Sequence, residues 1–330
     1  MISGLIKKIF GDKIQKDIKE LQVLVDDIKL SYKEIESLSD NQLREKTDEF
    51  KKEIGSDVAV VMITNPNTLG LYEENLSEIK NLAKENGALM YCDGANMNAF
   101  LGISKPADQG FDMIHLNLHK TFSTPHGGGG PGGGSLGVKT FLEDYLPVPR
   151  IKKENNEFVF DCNQEKSVGK LHSFYGNFGI LVRALAYVRS WGTDIQKISK
   201  MAVLNANYLF SLLKEDFDVP YDRRCAHEFV ISAKNLGEKS TINIAKRITD
   251  YGFHAPTIYF PLIVKEALMI EPTETESKET LDAYANVLKT IIKELKEEPE
   301  LLKNAPHTTP GRLDEVKAAR QLNLRWAPQE

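Results

Sequence analysis

Two residues, Asp93 and Lys120, have the types and the placement of a carboxylate–amine pair at the ends of neighbouring strands. The apolar run 111–118 reads as a short buried strand bounded by turn signals, and it delivers Lys120 to the strand's end. A glycine-rich loop follows, with Gly127 to Gly130 and Gly132 to Gly134 around Pro131. Upstream, 89–93 is a second apolar run, and it ends in Asp93, 27 positions before Lys120. This arrangement is what pyridoxal phosphate (PLP) chemistry needs. The amine forms a Schiff base, and the carboxylate holds the pyridinium proton so that the ring acts as an electron sink. The same features have a plain reading, since a lysine after a strand is often a solvated loop residue and glycine runs are often only flexible.

The wording of several segments is more specific than their spacing. HLNLHKTFSTPHGGGGPG at 115–132 resembles the cofactor-lysine segment of glycine dehydrogenase (decarboxylating), the P-protein of the glycine cleavage system, and in particular its separate second subunit. The resemblance continues through TNPNTLGLYE at 64–73, YCDGANMNAFLG at 91–102, FYGNFGILVRALAYVRS at 174–190, CAHEFVIS at 225–232 and LRWAP at 324–328. It covers about 56–330.

The resemblance implies a partial fold type I (aspartate-aminotransferase-like) PLP domain of α/β class, with a smaller α+β C-terminal domain and a helical N-terminal extension. It also implies roles. Lys120 is the catalytic lysine that bonds to the cofactor, and Asp93 pairs with the pyridinium nitrogen. Ala95 is the small residue under the ring. His119 and Thr121 flank the lysine and could reach the phosphate. Asn65 lies in the turn that faces the phenolic oxygen. For His119 and Asn65, structural hydrogen bonding is an equal reading. His115, on the strand itself, reads as a core histidine, and His126 and His227 stay open. Gly127 to Gly130 could bring backbone N–H groups to a phosphate.

The implied activity is decarboxylation of glycine, with transfer of the aminomethyl group to the lipoyl arm of the H-protein. The implied cofactor is PLP, with no metal. The implied partners are glycine, the lipoyl H-protein, and the first P-protein subunit or a second copy of the chain. An inactive remnant of that enzyme is the alternative, as is an interaction protein localised by its N-terminal helices.

Those helices differ in kind from the rest. Ile2, Leu5, Ile6 and Ile9, then Ile14, Ile18, Leu21, Val25 and Ile28, recur at helical steps. Ser39 to Gln42 offers a capping box for a second helix over 42–54, with Leu43 and Phe50 on its apolar side. Residues 1–54 resemble the extreme N-terminus of the SecA motor of preprotein translocase, at KIFGDK (8–13) and LSDNQLREKTDEFKKEI (38–54). No GxxxxGK[ST] follows, so ATPase activity is not implied. A charged helix of this kind is expected on a solvated surface, and membrane contact is not expected. The change of character falls at 54–57 without linker-like padding. The expected units are 1–54, a partial PLP-binding domain over 55–215, and a small domain with tail over 216–330. Against the resembled family, the chain reads as entering in mid-domain, which would leave open strand edges and uncovered apolar surface.

Composition sets outer bounds. With 330 residues, 41% hydrophobic, the chain can bury a sizeable core, and its formal net charge of −5 gives no reason to expect nucleic acid as a partner. Three cysteines without metal-like spacing favour a reducing, cytoplasmic setting. No apolar run approaches a membrane span, and a signal peptide is not expected.

From Asp57 the pattern is strand (57–64), an Asn-Pro turn, helix (73–86) stopped by Gly87, then the Asp93 and Lys120 strands. A long helix is expected over 170–215, with Phe178, Leu181, Val182, Leu185 and Val188 at helical spacing. Then come a strand at 227–232, a helix at 240–251, a strand at 257–260, a helix at 276–297 and an extended tail.

Overall fold

The computed structural model describes residues 13–36, 38–39, 42, 45–46, 49, 51–128, 131–171, 175–237, 240–308 and 311–325. The chain divides into two compact units, Met1–Gly55 and Ser56–Glu330.

The first unit contains helix α1 (Lys13–Glu36). Its apolar residues Leu21, Leu24, Val25 and Ile28 are exposed. The capping box forms as expected. Ser39 N–H donates to Gln42 Oε1 at 2.9 Å, and Gln42 N–H donates to Ser39 Oγ at 3.4 Å. Helical residues follow at 42, 45–46, 49 and 51–52. Ile2, Leu5, Ile6, Ile9, Leu43 and Phe50 lie outside the described residues.

In the second unit the first layer is a four-stranded sheet. Strand β1 (Val60–Thr64) leads through helix α2 (Leu76–Glu85) to β2 (Leu89–Gly94). Strand β3 (Met113–Asn117) runs directly into a single helical turn, α3 (Leu118–Thr121), and β4 (Gly134–Val138) returns. The order is β1-β2-β3-β4, parallel throughout except for antiparallel β3–β4. Helix α2 buries Leu76, Ile79 and Ala83, as its three- and four-residue spacing requires. It stops where Gly87 takes a φ of 76°.

Beyond the sheet lies a hairpin, β5 (Arg150–Glu154) and β6 (Glu157–Asp161). It turns on Asn155 and Asn156, both at positive φ, and the sequence reading did not anticipate it. The expected long helix is two, α4 (Phe178–Trp191) and α5 (Gln196–Leu213), separated at Gly192 with φ 53°. Phe178, Leu181, Val182 and Leu185 are exposed, while Ile180 and Ala184 are the buried positions. Periodicity identifies an apolar face but not what covers it, and the residues of α4 that pack on the lysine-bearing turn lie one step round the helix.

The C-terminal layer is a three-stranded sheet, order β7-β9-β8, from β7 (Phe229–Ser232), β8 (Thr257–Ile258) and β9 (Ala267–Ile270). Helices α6 (Ser240–Asp250) and α7 (Lys278–Glu297) cover it, the latter capped by Ser277. The largest core cluster sits here, between α5, α6, α7 and the sheet, with Leu213, Ile231, Ile244, Leu268 and Leu288 fully buried. The tail is not wholly extended: α8 (Pro299–Lys303) and α9 (Glu315–Arg320) are helical, because Pro suits a first turn and Asp314 caps the second.

The two layers approach each other tightly at Gly70. The turn after β1 is closed by Asn67, whose Oδ1 accepts from Leu69 and Leu71 N–H. Gly70 then lies against the approach to β7. Its carbonyl accepts from Ala226 N–H at 2.7 Å, and a Cβ there would sit 1.7 Å from Glu228 O. Gly70 and Gly87 have nearly equal positive φ, 73° and 76°, but nothing lies within 4 Å of a Cβ at Gly87. We therefore expect Gly87→Ala to cost about 1 kcal/mol, the left-handed penalty alone. Gly70→Ala should cost more than twice that, and urea unfolding of the two variants measures the difference.

Candidate functional site

Asp93 ends β2 and stands opposite His115 of β3 in the parallel register. Its carboxylate accepts three hydrogen bonds. Thr64 Oγ1 donates to Oδ2 at 2.9 Å, Ala95 N–H donates to Oδ1 at 3.0 Å, and His115 Nε2 lies 3.0 Å from Oδ1. A carboxylate only accepts, so Nε2 carries the hydrogen, and Nδ1, 2.9 Å from the Tyr91 hydroxyl, accepts from it. Burial, with Asp93 next, pushes the Tyr91 hydroxyl up, so it stays protonated for that role. Thus β1, β2 and β3 each contribute to holding one carboxylate in place. His115, read from sequence as a core residue, is half-exposed and oriented toward Asp93.

Lys120 rides on α3. In this turn Leu118 and Thr121 face inward, with Phe122 beyond, and Lys120 is left exposed. Leu118 and Phe122 pack against Leu101, Ile180, Ala184 and Ile198, which anchors the turn under α4 and α5. His119 makes an edge-to-face contact with His126, ring centres 4.6 Å apart. Burial, then the charges of His126 and Lys120, pulls the His119 pKa down, so its ring is neutral at neutral pH. Ala95 is buried beside the Asp93 carboxylate.

Three of the buried polar atoms without partners among the described residues belong to Asn65, Thr121 and Thr124. Asn65 is 2% exposed, and its Oδ1 accepts from Glu73 N–H at 3.0 Å. Its Nδ2 makes no well-formed hydrogen bond, although the Tyr72 hydroxyl, which Gln109 engages, lies beside it. Thr121 Oγ1 and Thr124 Oγ1 are also buried without partners. Orphaned donors of this kind are costly unless a ligand satisfies them. The donor set therefore fits PLP: an amine, a fixed carboxylate, a small residue, and unsatisfied amide and hydroxyl groups. Of the glycine loop, Gly127 and Gly128 have positive φ, and Gly128 N–H donates to His126 Nδ1 at 3.2 Å; Gly129 and Gly130 lie outside the described residues.

A second charged group went unseen in the sequence. His227 and Glu228 precede β7 and are 1% and 4% exposed, while Glu271 follows β9. One donor atom from each lies within 4.8 Å of the others. Burial pushes the Glu228 carboxyl up to about 8, helped by Glu271 and opposed by Lys120. Burial, then Lys120, pulls His227 down to about 4. The signal available beforehand was two ionisable residues against an apolar run, 229–231, which forces them into low dielectric.

These shifts fix the sign of a pH effect. The folded state holds the Glu228 proton to higher pH than the unfolded chain does, so this group favours folding below about 4.5 and loses that contribution as pH rises to about 8. His227 acts oppositely, its cost fading as pH rises from about 4 to 6.5. We expect Glu228→Gln to be increasingly more stable than the parent as pH rises from about 4.5 to 8, reaching on the order of a few kcal/mol by denaturant unfolding. A difference that is flat with pH would contradict this.

Comparison with known proteins relates the chain to known families and folds. Residues 198–307 match the family described as glycine dehydrogenase, C-terminal domain, and residues 28–129 match aminotransferase class-V. The chain is 56% identical over 281 residues to a probable glycine dehydrogenase (decarboxylating) subunit 2 of Caldanaerobacter subterraneus subsp. tengcongensis, covering 84% of this chain and 58% of the relative. It is 53% identical over 284 residues to its counterpart from Thermotoga maritima, covering 84% and 60%. The chain thus spans 58–60% of the length of these relatives. Among solved structures, glycine decarboxylase (P-protein) of the glycine cleavage system in inhibitor-bound form aligns with a TM-score of 0.60 at 21% identity, covering 72% of this chain and 56% of that one. An apo cysteine desulfurase from Thermococcus onnurineus NA1 aligns at 0.56 and 16% identity, covering 74% and 62%. The structural likenesses speak to fold alone, and the α/β class expected from sequence is the one found.

Proposed function

Because most of the chain is homologous to subunit 2 of glycine dehydrogenase (decarboxylating), we propose that it carries the lysine-bearing part of a PLP-dependent glycine decarboxylase. The observation that supports this most is the held pair: Asp93 fixed by three donors at the end of β2, and Lys120 on the turn that ends the next parallel strand. In this reading Lys120 Nζ bonds covalently to the cofactor. Asp93 would hold the ring nitrogen, Ala95 would serve as the small residue under the ring, and Asn65 would serve the phenolic oxygen. Thr121, with His119 beside it, serves the phosphate. When bound, PLP supplies an electron-withdrawing ring that stabilises the carbanion left as glycine loses carbon dioxide.

The chain's own residues do the rest. Thr64, Ala95 and His115 keep the Asp93 carboxylate from rotating, so its charge stays aimed at one point. The Tyr91 hydroxyl fixes the His115 tautomer from the other side. Lys120 stays reachable because its turn is anchored by Leu118 and Phe122 rather than by its own side chain.

The same reading brings the remaining partners. Glycine is the substrate, the lipoyl arm of the H-protein takes the aminomethyl group, and the first P-protein subunit or a second copy of this chain completes the assembly. A cytoplasmic setting goes with it, supported by three free thiols. Among the described residues, no helix is long and apolar enough to cross a membrane.

The test is direct. PLP added to the purified chain should produce near-visible absorbance and a borohydride-trapped adduct on Lys120, both lost in Lys120→Ala. An adduct on a different lysine would sink the assignment. Asp93→Asn should slow exchange of the glycine carboxylate, assayed with H-protein and the partner subunit, far more than it weakens PLP binding, because an amide stabilises the protonated ring poorly. His115→Phe should have the same signature in milder form.

A further inference from the structure

We propose that His227, Glu228 and Glu271 form a site for one first-row divalent cation of the zinc type, bound by an imidazole nitrogen and two carboxylates. This departs from the expectation of no metal read from the sequence. One donor atom from each residue lies within 4.8 Å of the others. Strand register brings them together. Phe229 of β7 pairs with Ile270 of β9, so Glu228 and Glu271 are the next residues out at one edge of the sheet. His227 and Glu228 are neighbours, and along a regular strand they would face opposite sides. Ala226 and His227 instead form a bend before β7 begins, which lets both side chains serve one point. The first layer holds that bend, where the Gly70 carbonyl accepts from Ala226 N–H at 2.7 Å.

Four observations separate this cluster from an ordinary group of acids. His227 is 1% exposed, and its Nδ1 has no hydrogen-bond partner. Its Nε2 lies 3.4 Å from Glu228 Oε1, longer than a well-formed N–H···O bond. A zinc ion with bonds of about 2.0–2.2 Å spaces tetrahedral donors about 3.4 Å apart, so this separation suits two ligands of one ion. Asn98 Nδ2 donates to Glu271 Oε1 at 2.8 Å, fixing that carboxylate as an outer partner fixes a ligand. A cavity of about 310 Å³, lined by Glu271, Thr273, Thr280 and Tyr284 among others, opens beside Glu271. It gives an ion a way in and leaves room for water at a fourth position.

The charge balance agrees. Two carboxylates this close, one of them 4% exposed, are costly unless paired with a cation or joined to a metal. Together with one doubly charged cation they sum to zero. Burial keeps the His227 ring neutral, which leaves it a lone pair to donate. Burial also pushes the Glu228 carboxyl up, so the ion takes the place of a proton there. Lys120 is the cation whose charge reaches all three residues, and among the described residues no ion pair joins it to them. An imidazole among the ligands favours zinc-type ions over magnesium or calcium, which prefer oxygen alone.

Isothermal titration calorimetry of the chelator-stripped chain with a zinc salt, without PLP, tests the site. The expected result is one zinc ion per chain. Zinc-edge X-ray absorption should show nitrogen and oxygen ligands at about 2.0–2.2 Å and no sulfur. Glu271→Gln and His227→Gln should each weaken binding by more than Asn98→Ala, for which about tenfold is expected. Cys162→Ser, at an exposed thiol outside the cluster, should leave binding unchanged. Should His227→Gln fail to fold, Glu271→Gln carries the test, since that residue keeps contact with solvent. No zinc uptake, sulfur in the zinc shell, weaker binding in Cys162→Ser, or equal affinity in folded Glu271→Gln overturns the proposal. Failure of the chain to bind PLP would leave these readings intact and count only against the proposed function.

Discussion

The parallel pairing of β2 with β3, in the register that sets Asp93 opposite His115, is the constraint on which the rest of the site depends. Side chains alternate faces along a strand, so a slip of one residue would send His115 to the other side of the sheet. Asp93 would lose a donor, and the turn bearing Lys120 would move one position along the strand axis. Two features oppose the slip. β1 ties to the same carboxylate through Thr64, and Leu118 and Phe122 are buried under α4 and α5 immediately after β3 ends. Register, carboxylate orientation and lysine position are therefore one coupled choice.

Charge around Lys120 is arranged asymmetrically. Asp93 is bound by short, well-directed donors and keeps a defined orientation. Glu228 and Glu271 instead crowd each other at the edge of an apolar sheet, where burial raises both carboxyl pKa values and the Lys120 charge opposes the rise. Gly70 makes this possible mechanically, because only a residue without Cβ lets the turn after β1 reach the backbone of Glu228.

The distribution of apolar surface is uneven. The C-terminal layer is densely packed, with Ile231, Ile244, Leu268 and Leu288 fully buried. The first sheet is thinner. Val60 and Met62 on β1 are exposed, as are Phe178, Leu181, Val182 and Leu185 on α4. This agrees with the open strand edge and uncovered apolar surface expected from the sequence. Burial gives the C-terminal layer most of its stability, so the site stands between a well-supported layer and a poorly covered one.

Local wording and short-range pattern were enough to read the α/β class and to single out Lys120 and Asp93 as a candidate pair. Lys120 follows an apolar run, Asp93 ends another, and Gly87 stops α2 because a left-handed cap suits glycine. Those are properties of neighbouring residues along the chain. What depended on residues far apart was not legible. The chain could not reveal that His115 turns toward Asp93, since that follows from strand register across 22 positions. Nor could it reveal that Glu228 and Glu271, 43 positions apart, share one edge. The exposure of the periodic residues on α4 and the break at Gly192 have the same origin. Helical periodicity fixes which residues share a face, whereas burial of that face is decided by whatever the rest of the fold brings against it.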